Sequence, residues 1–144
     1  MGSQGFLRAA AAVDLAAERR TGDFVRKLIR RGITTAVHDV SGGGFLVALA
    51  EMALASDIGI ILCNFRGTGP RHAQAFGEDQ GRYLVAVSGN DFHYATGLMR
   101  DAKIPFFYAG RANGVYFEIP NDEPIPITVL RAGHEGWFPR YMER

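Results

Sequence analysis

The sequence predicts an α+β domain: a mixed β-sheet with helices packed against it. Three observations carry that expectation. Segments of helical period and segments rich in β-branched residues alternate through the first two-thirds of the chain. One continuous apolar run, "IGIILCNF", has strand length and no polar alternation, which suits a strand covered on both faces. The last third breaks into short strand-like pieces punctuated by Gly and Pro, so the regular strand-helix alternation of a doubly wound nucleotide fold is not sustained.

Taken in order, residues 14–31 put Phe24, Val25, Leu28 and Ile29 on one helical face, with Gly32 as the stop and Thr21-Gly22 as the place where the helix would break. Arg26, Lys27, Arg30 and Arg31 crowd its last turns. They complement the negative end of the helix dipole and read as a solvated face rather than a phosphate or nucleic-acid contact. In "GITTAVHDV", Ile33, Thr35 and Val37 alternate with Thr34, Ala36 and His38, the pattern of a short buried strand. After a glycine turn, Phe45, Leu46, Leu49, Met52 and Ala53 recur at helical spacing among good helix formers. "RGTGPRHAQAFGEDQG" reads as a long polar loop. "RYLVAVS" is the next strand, Asn90 the next N-cap, and Phe92, Ala95, Leu98, Met99 and Ala102 the stripe of a second packed helix. "IPFFYAG", "GVYFEIP" and "IPITVLRAG" read as short strands before the tail "HEGWFPRYMER".

The whole divides into a disordered or engineered start over residues 1–12 and one domain over 13–144. At 144 residues a single core suffices. With 47% hydrophobic and 22% charged residues the composition is that of a soluble globular domain. A formal net charge of +1 supplies no field that would steer the chain onto nucleic acid or an anionic membrane. No apolar run approaches the roughly 20 residues needed to span a bilayer. A single cysteine excludes an internal disulfide and suits a reducing compartment, with the cytoplasm as the expectation.

The informative stretch is "HDVSGGG", residues 38–44, between a strand and a helix. Two readings stand. In the first, the unpaired N–H groups and positive dipole end of the helix receive a phosphate, with Gly42, Gly43 and Gly44 allowing close approach. Ser41 caps the helix or donates its hydroxyl, Asp39 holds a divalent ion or a ribose hydroxyl, and His38 donates to a phosphate oxygen. In the second, Asp39 caps the helix, His38 is a satisfied core histidine, and the glycines let helix and strand pack closely. The stretch matches neither the Walker phosphate loop nor the dinucleotide fingerprint.

Glu78 and Asp79, with Arg82 close behind, are the secondary candidates for binding or acid-base work. His38, His72, His93 and His134 form no i,i+4 pair, so no local zinc motif exists and a metal site is left unassigned. Cys63 reads as a small buried hydrophobe. Trp137 and Phe138 read as a lid packed on the body, with an exposed docking patch as the alternative.

Three separated motifs, "AVHDVSGGGFLVALAEMALA", "FGEDQGRYLVAV" and "HEGWFPRYM", together resemble the C-terminal AIR-synthase-related domain of the phosphoribosylformylglycinamidine synthase family. The resemblance runs from Val13 to the end. It implies a fragment of an ATP- and Mg2+-dependent ligase of purine biosynthesis, which uses glutamine-derived ammonia to convert formylglycinamide ribonucleotide to formylglycinamidine ribonucleotide. The implied partners are the remaining synthetase domains and a glutaminase subunit or domain. It also implies that the domain is inactive alone, carries no catalytic residue of its own, and self-associates through uncovered apolar faces. A non-catalytic assembly module, and a phosphate- or nucleotide-binding domain of another AIR-synthase-like protein, are the alternatives. One departure stands out: the family's knot reads HDVSDGG, and Gly42 occupies the place of its second Asp.

Overall fold

The computed structural model describes residues 14–63, 65 and 70–143. The expected start over residues 1–12 and the domain's first residue, Val13, lie outside them. Helix α1 spans Leu15–Arg30 and is capped by Asp14, whose carboxylate accepts from the Ala17 N–H at 2.9 Å. It runs unbroken through Thr21-Gly22. Thr21 returns its hydroxyl to the Ala17 carbonyl, and the missing side chain of Gly22 leaves room for the Tyr83 hydroxyl. Gly32, at φ 65°, closes the end as expected. Phe24, Val25 and Leu28 are buried; Ile29, expected beside them, is 51% exposed, because the buried arc is narrower than the apolar one.

Strand β1 (Thr34–Asp39) pairs antiparallel with β3 (Tyr83–Val87), and a register shift between Thr34 and Ala36 forms a bulge. Thr34 donates its hydroxyl to the Ala36 and Ala86 carbonyls there. The expectation of a buried β1 fails: among the described residues β1 and β3 form a two-stranded ribbon, so Thr35, Ala36 and Asp39 stay exposed. Its faces meet different neighbours. Val85 and Val87 pack on a cluster of Phe24, Leu28, Ile33 and Ala95, whereas Leu84, on the opposite face, joins the larger core.

That larger core is organised by helix α2 (Gly44–Ser56). Its sequence is apolar nearly all round, with Glu51 as its one charge, and such a helix is stable only when surrounded. Phe45, Ala48, Leu49, Ala53 and Leu54 are buried among Val40, Ile60, Leu62, Leu84, Phe117 and Ile127. Strand β2 (Ile60–Leu62) lies inside a second, mixed sheet: antiparallel to β4 (Gly110–Ala112) and parallel to β5 (Tyr116–Glu118), with β6 (Ile125–Pro126) at the edge. The α+β class and the mixed sheet are as the sequence predicts.

Four local readings need correction. The polar loop contains a helix, α3 (Arg71–Phe76), which packs on α2. Helix α4 (Phe92–Asp101) begins after Asp91, not Asn90, because Asp91 is tied to Ser88 by a 2.6 Å side-chain bond; its stripe centres on Ala95 and Thr96, and Ala102 is exposed. Most of "IPFFYAG" is not strand. "ITVLRAG", rich in β-branched residues, is helix α5 (Ile127–Glu135), since Ile127 and Leu130 reach the α2 core together only at helical spacing. Arg131, on the same side, donates to the Leu54 carbonyl at 2.6 Å and pairs with Asp57 and Glu135. The Glu135 hydrogen bond, then that of Asp57, raises its pKa.

The tail forms a last helix, α6 (Trp137–Met142), with no buried residue. Trp137 and Phe138 are 61% and 59% exposed, so they are not a lid packed on the body. Cys63, expected to be buried, is exposed, because β2 ends one residue before it. No helix among the described residues is long and apolar enough to cross a membrane.

Candidate functional site

The glycine knot and the acidic pair, far apart in sequence, meet in the fold. Val40 donates its N–H to the Arg82 carbonyl at 2.9 Å, which extends the β1–β3 ladder by one rung and holds the two segments side by side. The Glu78 carboxylate then accepts from the Gly43 N–H at 2.8 Å. Between them opens a cleft of about 350 Å3, lined by Asp39, Ser41 and Gly42 on one side and by Glu78 and Arg82 on the other, with Glu18 of α1 closing an end.

The three glycines are not equivalent. Gly44 sits at φ 75°, and a Cβ there would lie 2.5 Å from the Phe76 carbonyl carbon and 2.9 Å from the Gly77 oxygen. Helix α2 therefore starts against the backbone end of α3, an approach only glycine allows. Gly43, at φ 80°, would press a Cβ to 2.6 Å from Val47. Gly42 has no neighbour within 4 Å of the equivalent point and no positive φ. Two glycines shape the turn, and the third leaves open space beside the cleft.

The remaining predicted residues divide. His38 does not line the cleft: its Nδ1 lies 2.6 Å from the Asp39 carbonyl and its Nε2 lies 3.1 Å from the Glu51 carboxylate, so it ties β1 to α2. Asp39 does not cap α2, nor does the Ser41 hydroxyl; α2 has no side-chain cap at Gly43, and the Ser41 carbonyl accepts from the Gly44 N–H at 3.0 Å. Asp79 stands outside the lining, 3.8 Å from Arg82. Arg82 is braced by its bonds to the Asp79 and Gly77 carbonyls.

Chemically, the cleft sets three carboxylates, Glu18, Asp39 and Glu78, around one guanidinium. Carboxylates accept hydrogen bonds from hydroxyls, and Arg82 donates to an anionic oxygen. The N–H that an incoming phosphate would use at Gly43 already serves Glu78. Glu18 carried no local signal in the sequence, because it reaches the cleft from a helix about twenty residues upstream whose charges look like any solvated face. Among the described residues no three His, Cys, Asp or Glu side chains gather as a metal-holding group.

The family model described as "AIR synthase related protein, C-terminal domain" matches residues 2–116. The chain belongs to that family. Relatives include phosphoribosylformylglycinamidine synthase subunit PurL of Parvibaculum lavamentivorans, 49% identical over 130 residues, and of Allorhizobium ampelinum, 44% identical over 134 residues. These alignments cover 90% and 93% of the chain but 18% of each relative, so the chain spans under a fifth of their length. The fold matches Thermotoga maritima PurL complexed with FGAR at a TM-score of 0.70 and 18% identity, over 83% of this chain and 21% of that one. It matches the same protein complexed with ATP at 0.65 and 16% identity, over 78% and 21%. At those identities the likeness is one of AIR-synthase-related C-terminal fold.

Proposed function

We propose that this chain is the C-terminal domain, residues 13–144, of a phosphoribosylformylglycinamidine synthase, and that it supplies one wall of a ligand cleft in that ligase. The observation that carries the reading is the 49% identity to a PurL subunit across nine-tenths of the chain. The geometry supports it, because two of the motifs shared with that family converge on one cleft through the Gly43–Glu78 bond. In this reading Asp39 and Glu78 accept from the hydroxyls of a ribose-bearing ligand, Arg82 faces its phosphate, and Ser41 and Gly42 form the floor. The knot as a whole, His38 to Gly44, acts by shaping that wall; His38, Gly43 and Gly44 hold its backbone rather than touch ligand.

The parent reaction, amidation of formylglycinamide ribonucleotide with glutamine-derived ammonia, takes its phosphoryl chemistry from ATP and Mg2+ held by other domains, in the cytoplasm, with a glutaminase as partner. A neighbouring structure titled PurLQS from Thermotoga maritima supports an assembly of this kind. No residue here acts as catalyst, and the domain alone is inactive. A second reading, a non-catalytic assembly module, is favoured by one observation: Glu78 already occupies the Gly43 amide that a phosphate cradle would present.

Complementation separates the two. The chain is combined with a PurL subunit lacking the matching segment, and product is followed with ATP, Mg2+, ammonia and formylglycinamide ribonucleotide. Turnover that falls at least tenfold, through KM for the ribonucleotide, in Arg82→Met supports the cleft reading. Turnover indifferent to Arg82→Met leaves the assembly module. No turnover from folded, associated pieces refutes the cleft reading and leaves the assembly module, and pieces that do not associate refute both.

A further inference from the structure

The C-terminal helix α6 is a six-residue helix, Trp137–Met142, that buries none of its residues. Trp137, Phe138, Tyr141 and Met142 are 61%, 59%, 62% and 66% exposed. A helix far shorter than about 12 residues has little stability of its own in water and is ordinarily held by packing of an apolar face. Among the described residues no such packing exists, and α5 is its main neighbour.

The side chains form one surface. Trp137 stacks on Tyr141 with centroids 5.5 Å apart and an interplanar angle of 12°, and Trp137 also meets Phe138 at 6.2 Å. Phe138 and Met142 repeat the same i,i+4 spacing beside them. The only charge on the helix, Arg140, turns back to donate to the Gly136 carbonyl at 2.7 Å. Aromatic residues and Met with no carboxylate or ammonium among them are the composition of a buried interface centre.

Two observations say what covers it. The relatives carry more than four-fifths of their length outside the matched segment. The family-wide model stops at residue 116, before α5 and α6, whereas an alignment of 134 residues with a PurL subunit, 93% of the chain, reaches at least residue 134 and so takes in nearly all of α5, which leads directly into α6. Likeness to the longer synthases therefore continues past the domain type in general, along α5 toward α6. We infer that α6 is the anchor by which this domain seats on the rest of its own synthase polypeptide, its Trp137–Phe138–Tyr141–Met142 face filling an apolar recess there. This rests on the proposed function and names the contact surface it needs.

The test uses a full-length chimera in which this chain replaces the matching segment of the Parvibaculum lavamentivorans subunit. Hydrogen exchange of peptides covering 136–143 is compared between the chimera and the chain alone. At least tenfold slower exchange in the chimera is expected, and it should be lost in the triple variant Trp137→Ser, Phe138→Ser, Tyr141→Ser, whose side chains are exposed in the chain itself. A second measurement covers a chimera that does not fold: Trp137 is the only tryptophan, so 5-fluorotryptophan puts one 19F signal on the patch, and it should shift when the complementary polypeptide is added to the chain. Equal exchange in chimera and chain, or an unmoved signal on association, overturns the anchor. Protection or a shift that appears in the chain alone as its concentration rises also overturns it, in favour of a second copy. Turnover of the chimera is read separately: turnover without protection removes the anchor and keeps the proposed function, and protection without turnover does the reverse.

Discussion

Replacing Gly44 by Ala tests whether the knot is glycine-rich for packing or for a ligand. The new Cβ would lie 2.5 Å and 2.7 Å from the Phe76 carbonyl carbon and Cα, atoms of backbone that cannot rotate away. At φ 75° a side chain also meets the left-handed penalty of about 1–2 kcal/mol. Overpacking against a fixed neighbour adds about 1–3 kcal/mol, so the substitution should cost about 2–5 kcal/mol. In a chain of this size each kcal/mol moves Tm by roughly 3–4 °C, which places the loss at about 6–20 °C. Gly42→Ala is the matched control. With open space and no positive φ at that position, it should stabilise by about 0.4–1 kcal/mol through the unfolded chain. Thermal melts by circular dichroism without ligand decide it. If Gly44→Ala melts within ~2 °C of the parent, or if Gly42→Ala loses as much as Gly44→Ala, the assignment of two structural glycines and one free one is refuted.

Other expectations are simpler to state. Glu78→Ala removes the acceptor for the Gly43 N–H and should lower stability by about 0.5–2 kcal/mol in urea, with faster exchange of the Gly43 amide, while Glu78→Gln keeps an acceptor and loses less. Leu28→Ala empties a fully buried position against Phe24, Ile33 and Ala95 and should cost about 2–5 kcal/mol, measured in the same way. Arg131→Ala should lower Tm by freeing α5 from the end of α2, and Arg131→Lys should not restore it, because one ammonium cannot serve Leu54, Asp57 and Glu135 in that fork geometry. Cys63 should react stoichiometrically with a thiol reagent in the native state; protection until denaturant is added would contradict its exposure.

Local sequence carried α1 and α4 through apolar spacing that defines a face and a period, and α2 and β3 through residue type, a run of apolar helix formers in one and of apolar, β-branched and aromatic residues in the other. It failed where the partner decides. The β-branched run of α5 became helical because Ile127, Leu130 and Arg131 must reach α2 together, and the polar stretch before Gly77 folded as α3 because α2 lay beside it. Cys63 and Trp137 were misjudged for a related reason: an apolar side chain predicts burial only if a neighbour exists to cover it.

The candidate site shows the same division. That residues 38–44 form a glycine turn between strand and helix, and that 78–82 are polar and charged, was determined by residue type and order alone. That Glu78 reaches Gly43, that Glu18 completes the cleft, that His38 turns to Glu51, and that Gly42 is the dispensable glycine were decided only by tertiary structure. Dihedral preference and periodicity are properties of neighbours along the chain. A hydrogen bond across 35 residues, or a Cβ colliding with another helix, exists only once packing has brought the two segments together.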